Sequence, residues 1–457
     1  MKAVIELLFT IISLFAGRLS QTSRNSSKPP STDPNSKKKN KNKGQKNKAG
    51  GQLGRKGVNL EPIAKPDKII SLKLDKRFLP PGTYKEVGFE TRQVVELEIS
   101  RIVIEYQAQI LENAQGIRYV AEFPESVSRP IQYGQSVKSH SVYLSQFQLL
   151  PYERLADYFG NELKIPISVG SLFNFNQEAF NKLEAFDALA KEKLCSASLM
   201  HADETGINVN GKRLWLHTAS NDLWTYFFPH EKRGNEAMDE IGILPKFQGV
   251  LVHDHWKPYY TYTGCSHALC NAHYVRELQW VIDNHSYEWP KKIQDLLLEI
   301  NKTVHTSEGA FLEEPQAAIY RKRYRTILAI GILEMPSIDE IPRSIDEGPL
   351  PKKKRGRKKK TKEMNLLGRL KDYEEDVLRF MAEPIVPFTN NQGENDIRMA
   401  KVQQKISGCF RSIEGAKIFC RVRSYIITAQ KHGVSPTEAL KSLFKGELPQ
   451  AFSEANR

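Results

Sequence analysis

The stretch from 197 to 254 constrains the fold more than any other. "ASLMHADETGINVN", "KRLWLHTAS" and "LWTYFFPH" alternate apolar and polar side chains over strand lengths, and short turns holding Asn-Gly and Asn-Asp join them. "KRGNEAMDEIGIL" then takes a helical period. "FQGVLVHDHW" is an apolar run ending at Asp254, and "HALC" is a short strand before a helix from about Asn271. Three meandering strands followed by strands that alternate with helices predict a mixed sheet with helices packed on it, an α/β fold.

That sheet brings two acids into question. Asp203 lies where the first strand leaves its apolar run, and Asp254 ends the fourth. If those strands are neighbours, both carboxylates project at one edge. Phosphodiester chemistry uses such an edge: two hard divalent ions about 4 Å apart, held by oxygen ligands. A third carboxylate is offered by "VPFTNNQGENDIR", which resumes a helical pattern after Pro384. Asn390 and Asn391 suit a cap, and Glu394 can point inward from the new helix. Either asparagine could also hydrogen-bond substrate or a water beside the metals. Glu204 rivals Asp203, but adjacent strand side chains point to opposite faces, so only one can join. By the same rule His253 and His255 face away from Asp254. Cys265, His267, Cys270 and His273 are too compressed for a zinc site, and a strand at "HALC" would send His267 and Cys270 apart; zinc is not expected. Cys270 and His273 take a structural role at this junction, with a substrate-facing role open to His273.

Charge points to the partner. The net charge of +14 favours an anion such as nucleic acid. Nine basic residues and no acid fill 37–56, beginning Lys37, Lys38, Lys39. Nine more fill 352–362, beginning Lys352, Lys353, Lys354, Arg355. Those eighteen exceed the whole surplus, so the rest of the chain is near neutral. Ile5, Leu8, Ile12, Phe15 and Leu19 form a heptad seam, which favours the last turns of a coiled coil over 1–20 rather than a secretory segment. No other stretch is apolar for the ~20 residues of a membrane span. A Ser/Asn/Lys/Gly/Pro-rich linker over 21–66 is expected to be disordered. "VVELEISRIVIEYQAQIL" predicts a β-rich module over 67–130 that has no cysteine, so it is no cysteine-ligated zinc ribbon. Residues 131–195 read as helices, with a break at 160–166 compatible with a helix-turn-helix DNA reader. Five cysteines, an odd and sparse set, fit a reducing compartment.

"NSSKPPSTD", "GGQLGRKG", "HADET", "KRGNEAMDEIGILPKFQGVLVHDHWKPYY", "HALCNAHYVREL", "NLLGRL", "VPFTNNQGENDIRM" and "KISGCFRS" occur in that order. With them the chain resembles the transposases of the insertion-sequence-66 group. The resemblance implies a ribonuclease-H-like core with an Asp-Asp-Glu site: Asp203, Asp254 and Glu394, binding two Mg²⁺ or Mn²⁺ ions. It implies core segments at 196–280 and 384–457, split by a helical insertion at 281–383 that carries the basic loop 351–362. The activity implied is hydrolysis at transposon ends, then attack of the freed 3′-hydroxyl on target DNA. The implied setting is the bacterial cytoplasm, at the nucleoid, as a homo-oligomer with possible small accessory proteins of the same element. The Lys-rich tracts, Arg398 and Arg411 would contact phosphates. Three departures stand out: no paired cysteines in 67–130, Asn395 where arginine is common, and a short coiled coil. They leave a second reading, an inactive DNA-binding derivative that represses its own element.

Overall fold

The computed structural model describes residues 21–22, 24–26, 60–335 and 360–454. The expected coiled coil, Lys37, Lys38, Lys39, Lys352, Lys353, Lys354 and Arg355 lie outside those residues. The chain divides into two units, 37–105 and the remainder.

In the first unit, the described residues hold one 3₁₀ turn, Lys76–Phe78, and no strand. Leu97, Ile102 and Val103 are more than four-fifths exposed. The β-rich module expected over 67–130 is therefore met only at its end, in the other unit. There β1 (Ile110–Glu112) and β2 (Arg118–Val120) form a short antiparallel hairpin. Alternation marks side chains that could line a face, but a strand also needs a neighbour for its backbone N–H and C=O groups. Over 67–109 no strand forms among the described residues.

The larger unit is organised by five strands: β3 (Leu199–Val209), β4 (Lys212–Ser220), β5 (Thr225–His230), β6 (Val250–His253) and β7 (Ser266–Leu269). Their order is β5-β4-β3-β6-β7. β3, β4 and β5 form an antiparallel meander, while β6 and β7 run parallel to β3. The β3–β4 turn is Asn210-Gly211, with φ of 47° and 80°; these left-handed values make the two-residue hairpin that matches strand twist. At Gly249, just ahead of β6, a Cβ would stand 2.5 Å from the carbonyl oxygens of Ala197 and Ser198. Only glycine lets β6 start this close to β3.

Helices cover both faces. α1 (Gln135–Val142), α2 (Tyr152–Asn161), α3 (Val169–Lys182) and α4 (Glu184–Cys195) precede the sheet. The α2–break–α3 pair forms where the sequence predicts it, and the Ser168 hydroxyl caps α3 by accepting from Ser171 N at 3.0 Å. α5 (Asn235–Ile241) links β5 to β6, and α6 (Asn271–Asn284) follows β7. The long helical segment continues as α7 (Trp289–Thr306), α8 (Glu314–Glu334), α9 (Lys362–Asp372) and α10 (Glu374–Ala382). The chain closes with α11 (Asn391–Ser407), α12 (Ile413–Lys431), α13 (Pro436–Lys445) and α14 (Ala451–Glu454).

Strand alternation sorts the core. Met200, Ala202 and Leu251 point to the face packed by α2, α3, α4, α12 and α13. Val250 and Val252 point to the other face, against α6–α10. Further along that face, Ile207, Val209 and Leu216 pack on Ile397 and Ala400 of α11 and Phe419 of α12. Among the described residues, no helix is long and apolar enough to cross a membrane.

Candidate active site

The pairing of β3 with β6 sets the first two acids level. Leu199 pairs with Val250, Met200 with Leu251 and His201 with Val252. The same offset carried two residues further puts Asp203 beside Asp254. In parallel strands, partners at one register project to the same face. Asp254 follows the last residue of β6, and its Oδ1 accepts from Trp256 N at 3.1 Å. Between them His255 takes a left-handed φ of 69°. The chain thus bends away as soon as the carboxylate has been presented; such strained positions cost about 1–3 kcal/mol and cluster at functional sites.

The third acid arrives from α11, and Asn390 docks that helix. Asn390 is 1% exposed. Its backbone N–H donates to Cys270 Sγ (3.1 Å), and its side-chain amide donates to the carbonyl of Ala202 (2.9 Å). Its Oδ1 is 2.8 Å from Nδ1 of His201. Since the amide nitrogen is committed to Ala202, Nδ1 of His201 is the donor. Burial holds the ring below its ordinary pKa, which suits this neutral tautomer. Asn390 thereby joins β3, the end of β7 and the start of α11, and its carbonyl accepts from Glu394 N at 3.1 Å. Gly393 permits the approach: a Cβ there would lie 3.2 Å from Asn390 Oδ1 and 3.5 Å from His201 Cβ. Asn390 is thus a docking residue with its polar groups used. Asn391, one position on, is exposed.

The electrostatics follow from this crowding. Burial pushes the Asp203 carboxyl well above its ordinary range, and the Glu204, Asp254 and Glu394 carboxylates push it further. The Glu204 N–H donated to Asp203 Oδ1 at 2.9 Å opposes that only in part. Glu204 itself points to the opposite face, as alternation predicts. There it pairs with Arg233, whose Nε is 2.8 Å from Oε1, and accepts from the Tyr259 hydroxyl at 2.6 Å. His253 is buried, 3.1 Å from His267 Nδ1, and His255 Nδ1 is 3.0 Å from the Tyr260 hydroxyl. Both rings are spent on packing.

Glu394 lies among groups of α6. Cys270 Sγ is 4.0 Å from its Oε1, His273 Nδ1 3.8 Å and Arg276 Nη2 3.9 Å. Cys265 and His267 are engaged elsewhere, with the Tyr262 carbonyl and with His253. The four-residue set that the sequence raises for zinc is therefore not gathered. Lys401 lies along α11, donates to the Gly206 carbonyl at 2.6 Å and is felt electrostatically at Asp203.

Arg276 and Lys401 escaped the sequence reading, although spacing could have found them: Arg276 is three residues past His273, and Lys401 seven past Glu394, each on a shared helix face. Asp396 also escaped it. It pairs with Lys431 at 2.7 Å and accepts from Thr225 Oγ1 at 3.1 Å, tying α11 to α12 and β5. Arg398 is exposed one turn beyond Glu394. Arg411 follows Phe410, which bridges to Val209; that is six residues along β3 from Asp203, about 20 Å away.

Among the described residues the ligand atoms that meet within 4.8 Å are those of Cys270, His273 and Glu394, not of the three acids. The carboxylates felt at half-buried Asp203 are nonetheless hard oxygen donors, and a divalent cation's charge would relieve their repulsion. The model of a family of unknown function (DUF6444) matches residues 1–61. No curated protein matches the chain. The family model described as Transposase IS66 family matches residues 130–418, more than half of the sequence, from ahead of α1 to within α12. With the sheet, the acids and the intervening helices all inside that match, the chain belongs to the IS66 family of transposases.

Proposed function

We propose that the chain cuts and joins DNA at the ends of its insertion sequence, on a ribonuclease-H-like core whose acidic site is Asp203, Asp254 and Glu394. The observation that carries the reading is the parallel pairing of β3 with β6, whose offset, continued past His201–Val252, levels Asp203 with Asp254 on the face where Asn390 docks the helix bearing Glu394. The sheet order, with an antiparallel meander beside two parallel strands, supports the core assignment.

Two Mg²⁺ or Mn²⁺ ions bound by these oxygens would supply an activated nucleophile and charge stabilisation at the leaving oxygen. The chain's own groups do the rest. Asp203 and Asp254 are held by backbone hydrogen bonds at one sheet edge, so their oxygens need little reorganisation. Glu394 is partly exposed and open toward DNA. Arg276 and Lys401 flank the acids with positive charge that can meet phosphate oxygens, and exposed Arg398 extends that charge along α11. The α2–α3 pair is assigned to end recognition, and the lysine runs to non-specific, salt-sensitive attachment. Helpers of the same element, a homo-oligomer on paired ends and a nucleoid location complete the proposal.

The test is the purified full chain with labelled terminal-repeat DNA. Mn²⁺-dependent cleavage and strand joining are expected, and Asp203→Asn, Asp254→Asn or Glu394→Gln should abolish both while DNA binding persists. Unchanged cleavage in those variants overturns the site. A wild-type chain that binds but never cuts supports the repressor reading instead.

A further inference from the structure

Cys270, His273 and Glu394 form a second donor set, of a different chemical kind. Cys270 precedes α6 and His273 lies in its first turn, so both project toward the start of α11. One ligand atom from each of the three lies within 4.8 Å of the others. Their separations are informative. Sγ to Oε1 is 4.0 Å and Nδ1 to Oε1 is 3.8 Å. The first is a long thiol hydrogen bond and the second is beyond hydrogen-bond reach. His273 Nδ1 is buried and has no hydrogen-bond partner among the described residues. His273 Nδ1 thus faces the Glu394 carboxylate and the Cys270 thiol without a hydrogen bond of its own, which is costly unless something else joins them.

Ligand atoms around a tetrahedral zinc ion stand roughly 3.3–3.7 Å apart, given bonds of about 2.0–2.3 Å, so the two separations to Glu394 would shorten by roughly 0.5 Å and that between Cys270 and His273 by up to about 1.3 Å. Sulfur and imidazole nitrogen favour such a borderline-soft ion and are poor ligands for Mg²⁺. We propose that Cys270, His273 and Glu394 bind Zn²⁺, with water as fourth ligand, and that zinc inhibits the chain by withdrawing Glu394 from the Asp203–Asp254 pair. The thiol proton leaves to solvent as the ion enters. Arg276, 3.9 Å from the same carboxylate oxygen, is the cation that zinc displaces. Glu394 would then be shared between two cation sites of opposite preference, one for oxygen and one for sulfur and nitrogen. The inhibitory step rests on the function proposed above, whereas the binding step does not.

Binding is read with Co²⁺ as a spectroscopic stand-in on metal-free full-length protein. A thiolate-to-cobalt charge-transfer band with tetrahedral ligand-field bands is expected, bleached by added Zn²⁺. Cys270→Ser and His273→Gln should abolish it, and Cys409→Ser should keep it. Zn²⁺ affinity should fall at least ~100-fold in Cys270→Ser, beyond the 10–100-fold that loss of a supporting contact costs. Zn²⁺ should also raise the thermal midpoint of the wild type and not of either variant, a readout that holds if a variant is itself less stable. Inhibition is read as the Zn²⁺ concentration that halves Mg²⁺-dependent cleavage, each variant against its own zinc-free rate. A ~100-fold rise in Cys270→Ser supports the proposal. No thiolate band, or a band and a midpoint shift that survive Cys270→Ser, overturns it. A cobalt site in a chain that never cuts DNA would sink the proposed function and leave the metal site standing. A chain that cuts DNA without any cobalt site would do the reverse.

Discussion

Replacing Asn390 by alanine removes the side chain that docks the third acid, and its cost can be worked from the contacts. Two buried hydrogen bonds disappear, to His201 Nδ1 at 2.8 Å and to the Ala202 carbonyl at 2.9 Å. Stranding each buried partner costs about 1–3 kcal/mol, the lost bond included. The backbone bond to Cys270 Sγ survives the change, so part of the docking remains. A loss of about 2–6 kcal/mol in stability is therefore expected. The effect on chemistry should be larger than stability alone would give. A shift of about 1 Å in a positioned catalytic group costs on the order of 100-fold in rate, and Glu394 N bonds directly to the Asn390 carbonyl. Asn390→Asp should be as harmful, because its carboxylate would meet the Ala202 carbonyl oxygen where the amide now donates. Asn391→Ala, on the exposed neighbour, should stay within about threefold of wild type. Single-turnover cleavage of a labelled end, with urea unfolding of the same samples, measures both quantities. If Asn390→Ala cuts within threefold of wild type, or Asn391→Ala falls as far as Asn390→Ala, the docking argument is wrong.

Three further outcomes are expected. The Asp396–Lys431 pair is about nine-tenths buried on both sides, so Asp396→Ala should cost about 3 kcal/mol by stranding a charge, and Asp396→Ala with Lys431→Met should recover most of it, as chemical denaturation would show. The Asp203 carboxyl is raised above its ordinary 3.8 in the fold, so the native state holds its proton longer than the unfolded chain. Metal-free stability contributed by this group therefore falls as pH climbs from about 4 through the raised value and is flat above it. Asp203→Asn should be more stabilising at pH 8 than at pH 4 in EDTA, and Mg²⁺ should narrow that advantage; equal gains at both pH values would refute the shift. Changing Lys352, Lys353, Lys354 and Arg355 to alanine should reduce the slope of log affinity against log salt by about 3.6 if all four meet phosphates, with sequence preference unchanged in a gel-shift titration.

Much of the sheet was legible before any coordinates, and for local reasons. β3, β4 and β5 are betrayed by period-two alternation and by Asn210-Gly211, whose chemistry fits one tight turn. β6 ends one residue before Asp254 because the apolar run stops there. The pairing of β3 with β6 was a guess from topology; the glycine at 249 is what enforces it, and its reason is visible only when two carbonyls are found 2.5 Å from a missing Cβ. The two asparagines were legible as cap residues, not as different in kind: Asn390 is a buried clamp and Asn391 is exposed. In the 67–109 segment Val95, Leu97 and Ile99 alternate like a strand, yet all three are exposed and no strand forms there among the described residues. Long-range pairs such as Asp396 with Lys431 carry no local signature, because the two residues meet only when α11 and α12 lie side by side against β5.

The helices α7–α10 pack around Trp289, Leu297, Tyr324 and Leu370, in one hydrophobic interior with α6, β6 and β7. They stand in the chain between the second acid and the third. Their two ends are laced together where Asn271 donates to the carbonyls of Phe388 and Val377. A ribosome therefore finishes this whole block before the residue that completes the acidic cluster exists. A product interrupted anywhere within it would carry both aspartates and lack Glu394, so on the proposed site premature termination leaves the third carboxylate unmade.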